Sequence, residues 1–302
     1  MTDWAAGIRE YKQRLNAVIL VHNYQMEEVQ LIADHLGDSL GLSRIAAQVD
    51  AEVIVFCGVK FMAETAKILS PGKTVLLPRL DAGCPMADMI TLDDLEDLKT
   101  RYPDATVVTY VNSSAEIKAR SDVCCTSANA VEVVRNVEGR RVIFIPDRNL
   151  GAWAARQVPE KEVILFEGYC YVHDRIHRHE VEAARKAHPQ AEVLVHPEAR
   201  MEVLELADAV CSTGGMLRHV AASTAREFIV VTEEGLLDRL RRENPDRLFF
   251  PAGRPKICSN MKRTSLADVA AAMELRRYEI EVESETARRA EVALRRMLDY
   301  SG

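Results

Sequence analysis

The chain of 302 residues has no apolar run approaching the ~18–20 residues that a membrane span needs. Its first residues, MTDWAAGIREYKQRL, hold neither the apolar core nor the small-residue cleavage site of a secretion signal, so a cytoplasmic location is expected and a membrane partner is not. Basic excess is also missing: 39 Lys and Arg against 46 Asp and Glu leave a formal charge of −7. Proteins that grip nucleic acid usually carry a positive face, so no nucleic-acid partner is expected. No GxGxxG opens a helix after a strand and no GxxxxGK[ST] occurs, which removes two common phosphate cradles. Low-complexity segments and long linkers are absent. What remains, 48% hydrophobic and 28% charged residues, is the balance of a globular protein.

Seven cysteines are present. In a reducing compartment structural disulfides are rare, so these read as buried thiols, a nucleophile or metal ligands. Cys57, Cys124, Cys125 and Cys211 sit in the apolar runs VIVFCGV, DVCCTS and DAVCST, where a thiol packs as a small hydrophobe. Cys84 in DAGCPM, Cys170 in EGYCYVH and Cys258 in PKICSNMK instead follow strand-like runs and lie in loops, 86 and 88 residues apart.

Other features recur at that period. His22-Asn23-Tyr24 follows VILVH, Tyr110-Val111-Asn112 follows TVVTY, and His196-Pro197-Glu198 follows EVLVH. A third set aligns EVIVFCG at 52–58 with DVCCTSAN at 122–129 and DAVCSTGG at 208–215, the first displaced by an insert between residues 25 and 51. Three parallel recurrences predict a triplicated chain. Each repeat reads as strand, helix, strand, helix, and a third strand (KTVLLP, KEVILF or RLFFP) running into the Cys loop. Such alternation predicts parallel sheets covered by helices. The expected fold is α/β: three similar three-layer α/β/α domains around a pseudo-threefold axis, at 17–99, 100–184 and 185–264. Flanking helices at 3–16 and 265–302 are expected on the first domain, with Ser265 and Asp268 marking a helix start. Ligands bind beyond the carboxyl ends of parallel strands, so the active site is expected at the centre.

Three thiolates meeting there favour a soft metal. Zinc knuckles need close-spaced cysteine pairs, which the chain lacks. Widely separated cysteines suit a [4Fe–4S] cluster with three irons held by protein and one open to substrate as a Lewis acid. Near them, His22, Tyr24, Tyr110, His173, His196 and Glu198 are proton-transfer types. Ser39, Ser127, Ser212 and Thr213 add hydroxyls; Ser127 and the Ser212-Thr213-Gly214-Gly215 run lie between a strand and a helix, where they suit an anion or simply cap the helix. A substrate rich in carboxylate or phosphate follows. On the residues alone, a cluster-dependent hydro-lyase acting on a hydroxy-diacid, a zinc-dependent aldolase and a non-enzymatic iron–sulfur sensor all stay open.

The motifs HNYQ at 22–25, GDSL at 37–40, YVNSSAE at 110–116, CTSAN at 125–129, HPE at 196–198, STGGM at 212–216 and CSNMK at 258–262 together resemble the quinolinate synthase family over nearly the whole chain. The resemblance implies three α/β domains around a [4Fe–4S] site, with Cys84, Cys170 and Cys258 as ligands. It implies condensation of iminoaspartate (iminosuccinate) with dihydroxyacetone phosphate to quinolinate, phosphate and water, within NAD biosynthesis. His22, Ser39, Tyr110, Val111, Asn112, Ser127, His196, Glu198 and Thr213 are then the substrate shell. Tyr24, Tyr110, His173, His196 and Glu198 are the acid–base set. The enzyme that produces iminoaspartate is a further expected partner. No NAD or flavin cofactor is expected, because the condensation needs no net electron transfer.

Overall fold

The structure, a computed structural model, describes residues 4–300. Its strands form three parallel sheets of four. The first holds β1 (Ala17–His22), β2 (His35–Gly37), β3 (Val53–Cys57) and β4 (Thr74–Leu76). The second holds β5 (Thr106–Tyr110), β6 (Val123–Cys125), β7 (Arg141–Ile145) and β8 (Glu162–Leu165). The third holds β9 (Glu192–Val195), β10 (Ala209–Val210), β11 (Glu227–Val231) and β12 (Leu248–Pro251). Their orders, β2-β1-β3-β4, β6-β5-β7-β8 and β10-β9-β11-β12, are the same order three times. The inner strands read VILVH, VIVFC and RVIFI because helices cover both faces and leave no solvent side to alternate toward.

One hydrogen bond records the triplication directly. Asp34, Asp122 and Asp208 each accept the backbone N–H of a residue 15 positions earlier, Ile19, Val107 and Val193, at 2.8–2.9 Å. Each carboxylate ties an edge segment to its central strand. Lys73, Lys161 and Arg247 likewise donate to carbonyls at helix C-terminal ends, those of Val49, Val137 and Val220. A cation there meets the negative end of the helix dipole.

The structure corrects the third recurrence. The counterpart of β6 and β10 in the first unit is β2, not EVIVFCG, which is β3 and aligns with β7 and β11. Each unit therefore has four strands, not three. β2 spans three residues, HLG, with His35 exposed, too short and too polar for a two-residue period to emerge.

Among the flanks, helix Trp4–Arg14 packs on helix Leu266–Leu275, and Ile8, Val269, Ala270 and Met273 join the core beneath β1 and β3. Ser265 and Asp268 close a capping box at the start of the second of these. Helix Ser284–Asp299 is not confined to the first unit. It lies along β6, the helix Ala115–Lys118 and the helix Lys60–Leu69, burying Ala290, Ala293, Leu294 and Met297 across the junction of the first two units. Residue 3 and residues 301–302, the ends of the expected flanks, lie outside the described residues. No helix among the described residues is long and apolar enough to cross a membrane.

Candidate active site

The carboxyl ends of the strands open onto one cavity to which all three units contribute. His22 ends β1 and Tyr24 follows it; Tyr110 ends β5 and Asn112 follows it; His196 and Glu198 follow β9. Ser39 starts the helix after β2, and Thr213 the helix after β10; Ser127 lies between β6 and its helix. Cys84, Cys170 and Cys258, from the loops after β4, β8 and β12, complete the wall. Of the residues expected from sequence, Val111 does not line the cavity: its side chain is buried in the apolar core between two that do. Ser212 caps its helix through Gly215 N–H at 3.1 Å and donates to Asp38, so its hydroxyl is used up in structure.

The three thiols are free, partly buried and mutually close enough that Cys84 feels the charge of Cys258, and Cys170 that of Cys84. Burial pushes Cys84 up to about 12 and raises Cys170 and Cys258 as well. Opposing it, each sulfur faces backbone N–H groups two or three residues on: Met86 and Ala87 for Cys84, His173 for Cys170, Asn260 and Met261 for Cys258. Donors aimed at sulfur favour the thiolate once a cation supplies compensating charge. This donor set fits a soft metal cofactor. Cys170, His173 and Glu198 also present ligand atoms within 4.8 Å of one another, but His173 Nδ1 and Glu198 Oε2 already meet at 2.6 Å.

That pair belongs to a buried chain of polar groups. Tyr24 Oη lies 2.6 Å from Thr232 Oγ1, which lies 2.8 Å from His173 Nε2. His173 Nδ1 contacts Glu198, and Tyr110 Oη donates to the other Glu198 oxygen at 2.5 Å. Burial favours proton-bearing phenols, and the Glu198 charge adds to it, so Tyr24 and Tyr110 stand well above their ordinary value. Burial lowers His22 to about 4 and His196 to about 3. Glu198 resists burial: the His173 and His196 rings beside it, with hydrogen bonds from His173 and Tyr110, bring it down to about 2. At neutral pH Glu198 is therefore an ionised carboxylate, His22 and His196 are neutral imidazoles, and Tyr24 and Tyr110 are protonated phenols. An ionised Glu198 can only accept, so the hydrogen bond between them is donated by His173 Nδ1–H. Asn112 Oδ1 is buried with no partner, an orphaned polar atom at the cavity wall.

Sequence reasoning missed Asp38, Phe61, Thr232 and Glu233. It also missed two carboxylates that hold the cysteine loops. Asp147 accepts Cys170 N–H at 3.2 Å, and Glu233 accepts Cys258 N–H at 3.0 Å. They sit 86 residues apart, so the repeat period carried the signal. The first unit has Val59 at the matching place, which broke the pattern.

A family model described as "Quinolinate synthetase A protein" matches residues 6–299. The chain is 51% identical over 294 residues to the quinolinate synthase of Caldicellulosiruptor saccharolyticus, covering 97% of both chains. It is 53% identical over 287 residues to that of Thermodesulfovibrio yellowstonii, 95% of both, and 52% identical over 291 residues to that of Methanoregula boonei, 96% of both.

Proposed function

Because this chain belongs to the quinolinate synthetase A family, its activity is quinolinate synthesis, and we propose that it condenses iminoaspartate with dihydroxyacetone phosphate on a [4Fe–4S] cluster held by Cys84, Cys170 and Cys258. The reaction releases phosphate and two waters as the pyridine ring closes. The observation that carries the reading is one thiol from each repeat on the wall of one cavity, each sulfur facing N–H groups, next to the Tyr110–Glu198–His173 chain. A cluster with three protein ligands supplies a Lewis-acidic iron for substrate oxygen.

The chain's own residues have the remaining tasks. Asn112, with its orphaned oxygen, and the hydroxyls of Ser39, Ser127 and Thr213 hold the diacid and the phosphate. His22 and His196, neutral at working pH, bind substrate oxygens as donors without adding charge. Tyr24, backed by Thr232 and His173, and Tyr110, backed by Glu198, are the groups that exchange protons with the substrate. The buried wall keeps bulk water from a hydrolysable imine. A cytoplasmic setting and direct supply by the iminoaspartate-producing enzyme belong to the same reading, since a free imine is short-lived in water.

The test is iron and sulfide analysis of anaerobically purified protein, followed by incubation with both substrates. Four irons and four sulfides per chain with quinolinate formed is the expected result. Zinc in place of iron, or turnover of a hydroxy-diacid with no pyridine product, overturns it.

A further inference from the structure

We infer that Asn23 and Arg239 act together as positioning residues that force the Thr213 hydroxyl to offer its proton, not its lone pairs, to an anion in the cavity. This rests on the reading above that Thr213 belongs to the substrate shell. Asn23 is wholly buried, next to His22 and Tyr24 but absent from the cavity wall. Its Nδ2 donates to Thr213 Oγ1 at 2.8 Å, 190 residues away, joining the first unit to the third. Its Oδ1 accepts from Arg239 Nη1 at 2.7 Å.

The polarity of this chain has only one solution. A guanidinium can donate and never accept, so the Asn23 atom facing Arg239 is oxygen and the atom facing Thr213 is nitrogen. An amide nitrogen can only donate, so Thr213 must spend a lone pair on it. Among the described residues none accepts the Thr213 hydroxyl proton, and Thr213 lines the cavity. Arg239 is itself fixed, donating to the Leu36 carbonyl at 2.9 Å and to Glu243 at 2.8 Å. The amide cannot flip without leaving that guanidinium facing another N–H. A hydroxyl left alone turns either way; this one is set as a donor before substrate arrives, which is the economy of preorganisation.

The experiment compares wild type, Asn23→Asp, Thr213→Val and the double variant by calorimetric titration with quinolinate, alongside melting curves. Aspartate keeps the Arg239 contact but can only accept, so Thr213 turns its proton inward and presents lone pairs to the anion. N23D and T213V are each expected to weaken quinolinate binding about ten- to hundredfold, the worth of a hydrogen bond to a charged group. In the T213V background, N23D is expected to add less than about threefold. Thr213→Ser, which keeps the hydroxyl, is expected to restore most of the affinity. Should N23D not fold, Arg239→Met frees the amide to rotate and is expected to cost about threefold in wild type and nothing in T213V. If T213V binds quinolinate as tightly as wild type, Thr213 is no substrate ligand and the underlying reading fails. If T213V weakens binding but N23D costs the same with or without the Thr213 hydroxyl, Asn23 acts only on packing or charge and the inference fails.

Discussion

Tyr110 donates to Glu198 at 2.5 Å across 88 residues of sequence, joining the second unit to the third inside the cavity. The other Glu198 oxygen holds His173, and His173 reaches Tyr24 through Thr232, so two phenols share one buried carboxylate. The arrangement separates roles among like groups. The tyrosines stay protonated, Glu198 stays ionised, and a proton lost at one end has a hydrogen-bonded route for its replacement.

Breaking that route should slow turnover without emptying the site. Thr232→Val keeps the shape and removes the oxygen between Tyr24 and His173. We expect kcat to fall about a hundredfold, in the range typical of general acid–base contributions, with quinolinate affinity little changed. Tyr24→Phe should do the same. Steady-state kinetics beside a binding titration separate the two quantities, and a normal kcat in T232V would mean that the relay does not need Thr232, Tyr24 Oη also lying 3.4 Å from His173 Nε2 directly.

Each of Cys84→Ala, Cys170→Ala and Cys258→Ala should abolish the charge-transfer absorption at roughly 400 nm expected of a cysteine-ligated cluster. Cys57→Ala, buried in β3 far from any loop role, should leave it intact. Absorption spectra with iron counts check both. A full spectrum in any one of the three loop variants would strike that thiol from the ligand set.

Acid should destabilise the metal-free protein from below pH 6.5. His22 and His196 have folded values near 4 and 3, so between those and 6.5 the unfolded chain binds more protons than the folded one. Stability then rises with pH, is fully present above 6.5 and is lost as pH falls through the folded values. Glu198, lowered to about 2 from 4.5, adds a loss of the same sign below 4.5. Melting temperature measured from pH 7.5 to 5 should drop, and His196→Gln should flatten the slope. Buried Asp147 and Glu233, raised by burial, act with the opposite sign, so the deciding comparison is the variant: a slope in His196→Gln as steep as in wild type contradicts a buried neutral imidazole at 196.

Gly168 has no space for a side chain. A Cβ there would lie 2.5 Å from the Pro146 carbonyl oxygen, while the Gly168 carbonyl accepts Arg148 N–H at 2.8 Å. Gly168→Ala must push the strand end aside two residues before Cys170. We expect a stability loss of about 1–3 kcal/mol, as for other overpacked sites, with less iron retained per chain. Denaturant titration and iron analysis report the two effects.

The period was the legible part. Cys84, Cys170 and Cys258, and the strand ends at His22, Tyr110 and His196, stand at near-equal intervals, and parallel βα units place such positions at one end of their sheets. β2 was not legible, because three residues with a polar start leave no periodicity, and its loss shifted the first unit out of alignment. Thr232, Glu233 and Asp147 escaped for another reason. Their partners lie across unit boundaries or in distant loops, and the first unit carries Val59 where the others carry Asp147 and Glu233. Local pattern reports burial and period; it does not report which buried oxygen meets which distant nitrogen.

The last of the three cysteine loops falls at residue 258 of 302, and helix Ser284–Asp299 braces the first unit against the second from the far end of the chain. Any inorganic group gripped by all three sulfurs thus has no complete berth while the polypeptide is still being made.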